Sequence, residues 1–223
     1  MSITRRIDVS DKPMSWPHLE SVNEPVLIQS VDPDGTTIDI VEKLQAHMDG
    51  GTLHRAVSVL ILDAQDRLLL QRRSPVKYHF AGLWANTCCT HPSPTETTVE
   101  AALRALSHEL GIEPDVREVT VLTYAAHDEA SGYTEREFDH VMFGVWGGDV
   151  HPCADEVQGL DWLSGGDLAE WMGENPAEFV PWLQHILSSV SSLTDEQLGI
   201  AEPLRTFIRA FQTANDSFQV RSE

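Results

Sequence analysis

Apolar positions along the chain alternate or run together in short segments, then recur at helical spacing toward the C-terminal end. Strand-like runs fall at 26–31, 55–62 and 67–72, and the AQD stretch between the last two marks a hairpin turn. Residues 83–90 read as a further extended segment. Over 95–110 the period changes: Val99, Ala102, Leu103, Leu106 and Leu110 share one helical face, and Gly111 supplies the stop. Segments 116–126, 137–146 and 160–163 are again strand-like, whereas 167–172, 177–190 and 204–214 read as helices, with a loop near Pro176. Strands around a central helix, followed by a helical tail, predict an α/β (α+β) sandwich. Residues 1–24, polar and proline-containing, read as an N-terminal extension, 25–190 as the domain, and 191–223 as a C-terminal helical tail.

The composition adds bounds. With 223 residues, 41% of them hydrophobic and 22% charged, the chain is an ordinary globular one. Its longest apolar run, 57–62, is interrupted at Ser58 and falls far short of the roughly 20 residues a spanning helix needs, so no membrane insertion is expected. The N-terminal MSITRRIDVSDKPMSW carries two arginines without an apolar stretch behind them, which points to the cytoplasm. Asp and Glu number 35 against 15 Lys and Arg, and the net charge of -20 repels nucleic acid and anionic membrane surfaces. The lysines are only Lys12, Lys43 and Lys77. This balance suits a cytosol at high salt, or simply an acidic protein from a GC-rich genome. Three cysteines, two of them adjacent as Cys88 and Cys89, form neither a disulfide framework nor a CxxC zinc spacing, which fits a reducing compartment. Cys153 reads as a small buried hydrophobe. No oligomeric state is read from the pattern.

Candidate chemistry gathers in four stretches. The segment 90–112 resembles a degenerate Nudix box: Glu96, Arg104, Leu106, Glu109, Gly111 and Ile112 fit, while Thr90, Ala105 and His108 do not. Such a helix uses carboxylates to hold Mg²⁺ against a diphosphate, and Glu109 alone remains of the paired acidic positions. NTCCTHP sets Cys89 two residues before His91, on one strand face. EKLQAHMDGGTLH supplies His47 and His54, and TEREFDH supplies Glu135 and Glu137, again two apart. Three histidines and two glutamates together would make a mixed nitrogen and oxygen site for a six-coordinate divalent ion.

Together these stretches resemble the type I isopentenyl-diphosphate isomerases of the Nudix superfamily, from about Val26 to Trp182. The segments that carry the resemblance are Glu42, Lys43, His47 and His54; RRSPVK at 72–77; GLWANTCCTHP at 82–92; HELGI at 108–112; and EREFDH at 135–140. They occur in family order and at family-like spacing. The resemblance implies a Nudix-like α/β/α sandwich with a mixed sheet. It also implies that His47, His54, His91, Glu135 and Glu137 hold one divalent metal (Mn²⁺, Mg²⁺ or Zn²⁺), and that Glu109 binds a second Mg²⁺ together with the substrate diphosphate. Cys89 and Glu137 would be the proton-transfer groups, with Trp182 and Tyr124 lining the pocket of a carbocation. Arg73, Lys77 and Lys43 would grip the diphosphate, as suits phosphate oxygens. Where many family members have a second arginine after Arg104, this chain has Ala105.

The implied activity interconverts isopentenyl and dimethylallyl diphosphate through a tertiary carbocation, which an indole face can stabilise without attacking it. The alternatives are a Nudix pyrophosphohydrolase, which would need several carboxylates on the box helix, and a Nudix-fold binding module without activity.

Overall fold

The computed structural model describes residues 7–8, 25–198 and 202–222. The expected N-terminal extension therefore lies outside the described residues apart from Ile7–Asp8, as do residues 199–201 and 223 of the expected tail. Among the described residues the strands are β1 (Ile7–Asp8), β2 (Leu27–Val31), β3 (Thr37–Glu42), β4 (His54–Leu62), β5 (Leu68–Arg73), β6 (Trp84–Ala85), β7 (Cys88–Thr90), β8 (Val116–His127), β9 (Thr134–Val145) and β10 (Val157–Leu163). The helices are α1 (Lys43–Ala46), α2 (Thr98–Leu110), α3 (Gly165–Glu174), α4 (Pro181–Ser191), α5 (Asp195–Leu198) and α6 (Glu202–Ser222), with a 3₁₀ turn at Pro176–Glu178.

The strands make one mixed sheet. Its pairings are antiparallel except that of β4 with β9, which run parallel from His54 opposite Glu137 to Leu62 opposite Val145. Alternation along β4 sorts the core into two layers, because successive strand side chains point to opposite faces. Val57, Val59 and Ile61 meet Ala102, Ala105, Leu106 and Leu110 of α2. Leu60 and Leu62 meet Trp182, Leu183, Ile186 and Leu187 of α4 and Phe207 of α6. The result is a helix–sheet–helix sandwich in which α6 shares the core of α3 and α4.

Local chemistry explains the boundaries. α2 starts at a capping box, with Thr97 and Glu100 exchanging side-chain and backbone hydrogen bonds. It stops at Gly111, whose φ of 65° is a left-handed conformation that favours glycine. Strand β3 is absent from the pattern reading because it forms the sheet margin with Ile38 and Ile40 exposed, so no buried face marks it. The extended segment expected at 83–90 is split into β6 and β7. The buried Asn86 amide turns inward to donate to Val59 O and Cys88 O, and Thr87 Oγ1 donates to Leu69 O. The helix expected over 177–190 begins only at Pro181, preceded by the 3₁₀ turn, since proline at the first helical position has no N–H to leave unpaired.

Candidate active site and metal centre

Five sequence candidates stand on the face of the sheet that α4 covers. β9 alternation sends Glu135 and Glu137 to that face, β8 brings Tyr124 opposite Glu137, β4 begins with His54, and β7 contributes Cys89. α1 ends at His47, and His91 follows β7 directly.

The imidazoles are oriented by backbone carbonyls. His47 Nδ1 lies 2.6 Å from Lys43 O and His54 Nδ1 lies 2.8 Å from Thr52 O, so each ring donates there and leaves Nε2 free as a lone-pair ligand. The free nitrogens converge: His54 Nε2 is 3.0 Å from His91 Nε2, and His47 Nε2 is 2.7 Å from Glu135 Oε2. One ligand atom from each of His47, His54, His91 and Glu135 lies within 4.8 Å of the others. Glu137 Oε1 adjoins this group, 3.1 Å from His91 Nε2 and 3.8 Å from His54 Nε2. His47 Nε2 and Glu135 Oε2 are buried and, although 2.7 Å apart, neither has a hydrogen-bond partner. A set of imidazole nitrogens and carboxylates converging in the interior fits a divalent cation. Burial lowers His91 to about 4, which keeps its ring in the neutral form that ligates. Burial works to raise the Glu135 carboxyl, but His47 and His79 beside it hold it well below the usual range.

A cavity of about 190 Å³ opens beside this cluster. Cys89, Tyr124, Trp182 and Glu137 line it, together with Lys43, Arg73, Lys77 and Glu109. Cys88 points the other way, into the α2 layer, and is fully buried. Burial, with Asp139 and Glu137 nearby, pushes the Cys89 thiol up to about 12, so it is a thiol rather than a thiolate at neutral pH. Tyr124 donates its hydroxyl to Glu137 Oε2. The Trp182 ring is stacked near Tyr124 at 6.3 Å and carries the Arg73 guanidinium 5.5 Å from its centroid.

The cations are arranged unequally. Arg73 is buried and donates to Phe80 O and His79 O, which fixes its fork. Lys77 is ion-paired with Glu156, while Lys43 Nζ sits 5.5 Å from the Tyr78 ring. Burial, with Lys77 close by, lowers the Lys43 ammonium. Glu109, on α2, accepts a hydrogen bond from Gln71 Nε2 at 3.1 Å. Of the box positions, Arg104 and Glu96 form a two-pronged pair, and Arg104 also reaches His91 O, tying the box helix to the segment that carries His91.

Sequence reasoning missed several residues that the fold brings here. His79 Nε2 contacts Glu135 Oε1, the carboxylate oxygen that His47 does not take, and its ring lies edge-on to that of His47 at 5.6 Å. Asp139 continues the β9 alternation beyond Glu137 and is fully buried; burial, with Glu137 adjacent, pushes its carboxyl well up, so it is held neutral. Glu156 faces Lys77, and Asn86 lies between Cys89 and Trp182. The two-residue alternation 135, 137, 139 was a visible signal for Asp139. The other three depend on long-range contacts that no local spacing encodes.

The sandwich and its carboxylate-bearing box helix define a Nudix protein, and the NUDIX domain matches residues 52–183. A crystal structure from Deinococcus radiodurans has a TM-score of 0.59 at 16% identity, covering 73% of this chain and 98% of that one, a likeness of fold alone. The "Isopentenyl-diphosphate Delta-isomerase" of Nocardia farcinica is 40% identical over 172 residues, covering 77% of this chain and 98% of that protein. The proteins of that name from Streptomyces avermitilis and Burkholderia multivorans are 40% identical over 177 residues and 43% identical over 152, covering 79% and 68% of this chain and 89% and 85% of theirs. The chain belongs to the isopentenyl-diphosphate Delta-isomerase family of Nudix proteins.

Proposed function

We infer that the protein interconverts isopentenyl diphosphate and dimethylallyl diphosphate by adding a proton at one carbon and removing one at another, through a tertiary carbocation. The observation that carries this reading is the single cavity in which a protonated thiol and a buried carboxylate stand with an indole and three cationic side chains. An alkene is a very weak base, so the reaction needs an acid in a dry pocket and a surface that stabilises the cation without reacting with it.

In this reading Arg73, Lys77 and Lys43 hold the diphosphate at the mouth, with Lys77 exchanging its Glu156 partner for phosphate oxygens. Cys89 and Glu137 transfer the protons at the carbon chain. Trp182 and Tyr124 present aromatic faces to the cation, and the Tyr124 hydroxyl holds one Glu137 oxygen in place. His47, His54, His91, Glu135 and Glu137 would hold one divalent ion (Mn²⁺, Mg²⁺ or Zn²⁺), and Glu109 a second Mg²⁺ shared with the diphosphate. When bound, those cations supply positive charge that keeps Glu137 ionised and offsets the charge of the diphosphate. The three free cysteines accord with a reducing cytoplasm. No helix among the described residues is long and apolar enough to cross a membrane.

The hydrolytic alternative asks for several metal-binding carboxylates on α2. Ala105 and His108 line the cavity where two of them would stand, and Glu109 is the carboxylate that α2 contributes. Incubating the protein with isopentenyl diphosphate and a divalent metal, with NMR detection, should give dimethylallyl diphosphate. Release of inorganic phosphate or pyrophosphate in its place would establish hydrolysis.

A further inference from the structure

Asn86 is fully buried and makes four hydrogen bonds. Its Nδ2 donates to Val59 O at 3.2 Å and Cys88 O at 2.9 Å, while its Oδ1 accepts from Trp182 Nε1 at 3.2 Å and from Cys89 Sγ at 3.3 Å. The direction of the amide is forced by its neighbours. Backbone carbonyls only accept and an indole N–H only donates, so the flipped amide would set oxygen against two carbonyls and N–H against N–H. The atom facing Cys89 is therefore an oxygen without a hydrogen, and the thiol must be the donor in that contact.

We propose that Asn86 is a positioning residue for the isomerisation: its one amide oxygen fixes the direction of the Cys89 S–H bond and the plane of the Trp182 indole relative to each other. The proposal rests on the reading of Cys89 as a proton-transfer group and Trp182 as the cation-facing ring. Cys89 Sγ also lies 3.6 Å from Ser58 Oγ, a longer contact in which the hydroxyl donates to the sulfur once the S–H is turned to Oδ1, and the indole is reached from α4, ninety-six residues further along the chain. The two backbone carbonyls anchor the amide between β4 and β7, so a rigid sheet sets the geometry and a helix-borne ring is registered to it. Asn86 touches neither the diphosphate cations nor the metal-ligand imidazoles, so its contribution falls on the chemical step rather than on capture.

The test uses Asn86→Ala and Trp182→Phe, singly and together, in the metal-loaded full-length protein. Asn86→Ala is expected to lower kcat at least about tenfold with KM within about twofold, because the cations that hold the diphosphate are untouched. Trp182→Phe keeps an aromatic face but loses the N–H. If one oxygen serves both groups, the double variant loses less than the product of the single effects. Raman spectra give a readout independent of activity, with the Cys89 S–H stretch isolated by difference against Cys89→Ser. That stretch should rise in Asn86→Ala, where the more distant Ser58 Oγ at 3.6 Å replaces Oδ1 at 3.3 Å as the acceptor, and fall in Trp182→Phe, where Oδ1 turns wholly to the thiol. Should Asn86→Ala fail to fold, the Trp182→Phe shift decides the matter alone. An unmoved S–H stretch with multiplicative kinetic effects overturns the proposal. Wild-type kcat in both Cys89→Ser and Trp182→Phe would overturn the reading beneath it; crippled versions of those two beside a wild-type Asn86→Ala would remove the Asn86 role alone.

Discussion

Cys88 and Cys89 differ by one position and by everything that matters for chemistry. β-strand alternation buries Cys88 against α2 and opens Cys89 to the cavity, so Cys89→Ser is expected to lower kcat by about 10² or more while Cys88→Ser leaves it near wild type. Steady-state kinetics on the two variants check this, and an inactive Cys88→Ser beside an active Cys89→Ser would move the thiol by one residue. Glu137→Gln should be similarly damaging, and metal content has to be measured with it, since the same carboxylate adjoins the imidazole cluster. Arg73→Ala and Lys77→Ala belong to the other half of the reaction. In the proposed reading each removes a charge-assisted contact to the diphosphate that is present before and during the chemical step, so KM should rise more than kcat falls. The reverse pattern in both would place these cations at the reacting carbons. Arg73→Ala carries an additional cost, because its buried guanidinium also satisfies Phe80 O and His79 O.

The elements were unequally legible in the sequence. α2 could be placed because its apolar face has helical period and its ends carry a capping box and a glycine stop, signals contained within the segment itself. β3 could not, since an exposed margin strand has no buried face to produce a pattern. The site divides in the same way: pairs two apart, such as Cys89 with His91 and Glu135 with Glu137, declare a shared strand face, whereas His79, Glu156 and Asn86 join only through contacts across the fold. Two predictions belong at this scale. A Cβ at Gly165, the first residue of α3, would lie 2.1 Å from Phe207 O of α6. Gly165→Ala should therefore push the two helices apart and destabilise the protein by about 1–3 kcal/mol, measurable by urea unfolding. The Glu96–Arg104 pair gives a pH signature: the Arg104 contact, with Ser93 N–H, lowers Glu96 to about 2 from 4.5. A depressed carboxyl stabilises the fold above its unfolded value and loses that contribution as pH falls through the folded one. The stability difference between wild type and Glu96→Gln should thus be constant above about pH 5 and vanish near pH 2. It should not exceed about 1 kcal/mol, because Arg104 is half exposed and solvent screens the pair. A difference unchanged down to pH 2 would mean that the carboxylate charge is not what the pair contributes.

At the scale of the whole molecule the dominant quantity is charge. Even if every Lys and Arg were matched one to one with an acidic group, twenty acidic groups would remain from the 35. Several cations are already committed locally, Arg67 to Asp63, Arg104 to Glu96, Arg205 to Glu202 and Lys77 to Glu156, so they screen their own neighbourhood rather than the surface at large. The remaining carboxylates repel one another over a range set by the ions in solution. That range is about 3 Å at 1 M salt, shorter than the spacing of most surface charges, and about 10 Å at 0.1 M, where neighbouring groups couple. Unfolding separates the charges and relieves the repulsion, so the folded state loses more than the unfolded one when salt is removed. Tm is therefore expected to fall as salt is lowered from molar to about 0.1 M, and a monovalent chloride series followed by calorimetry in the presence of saturating divalent metal would measure it. Holding the metal constant matters, because loss of a bound cation would lower Tm by mass action and imitate the effect. A Tm that stays level across the series would mean that the carboxylates are spaced widely enough not to interact, and the acidic composition would then carry no consequence for stability.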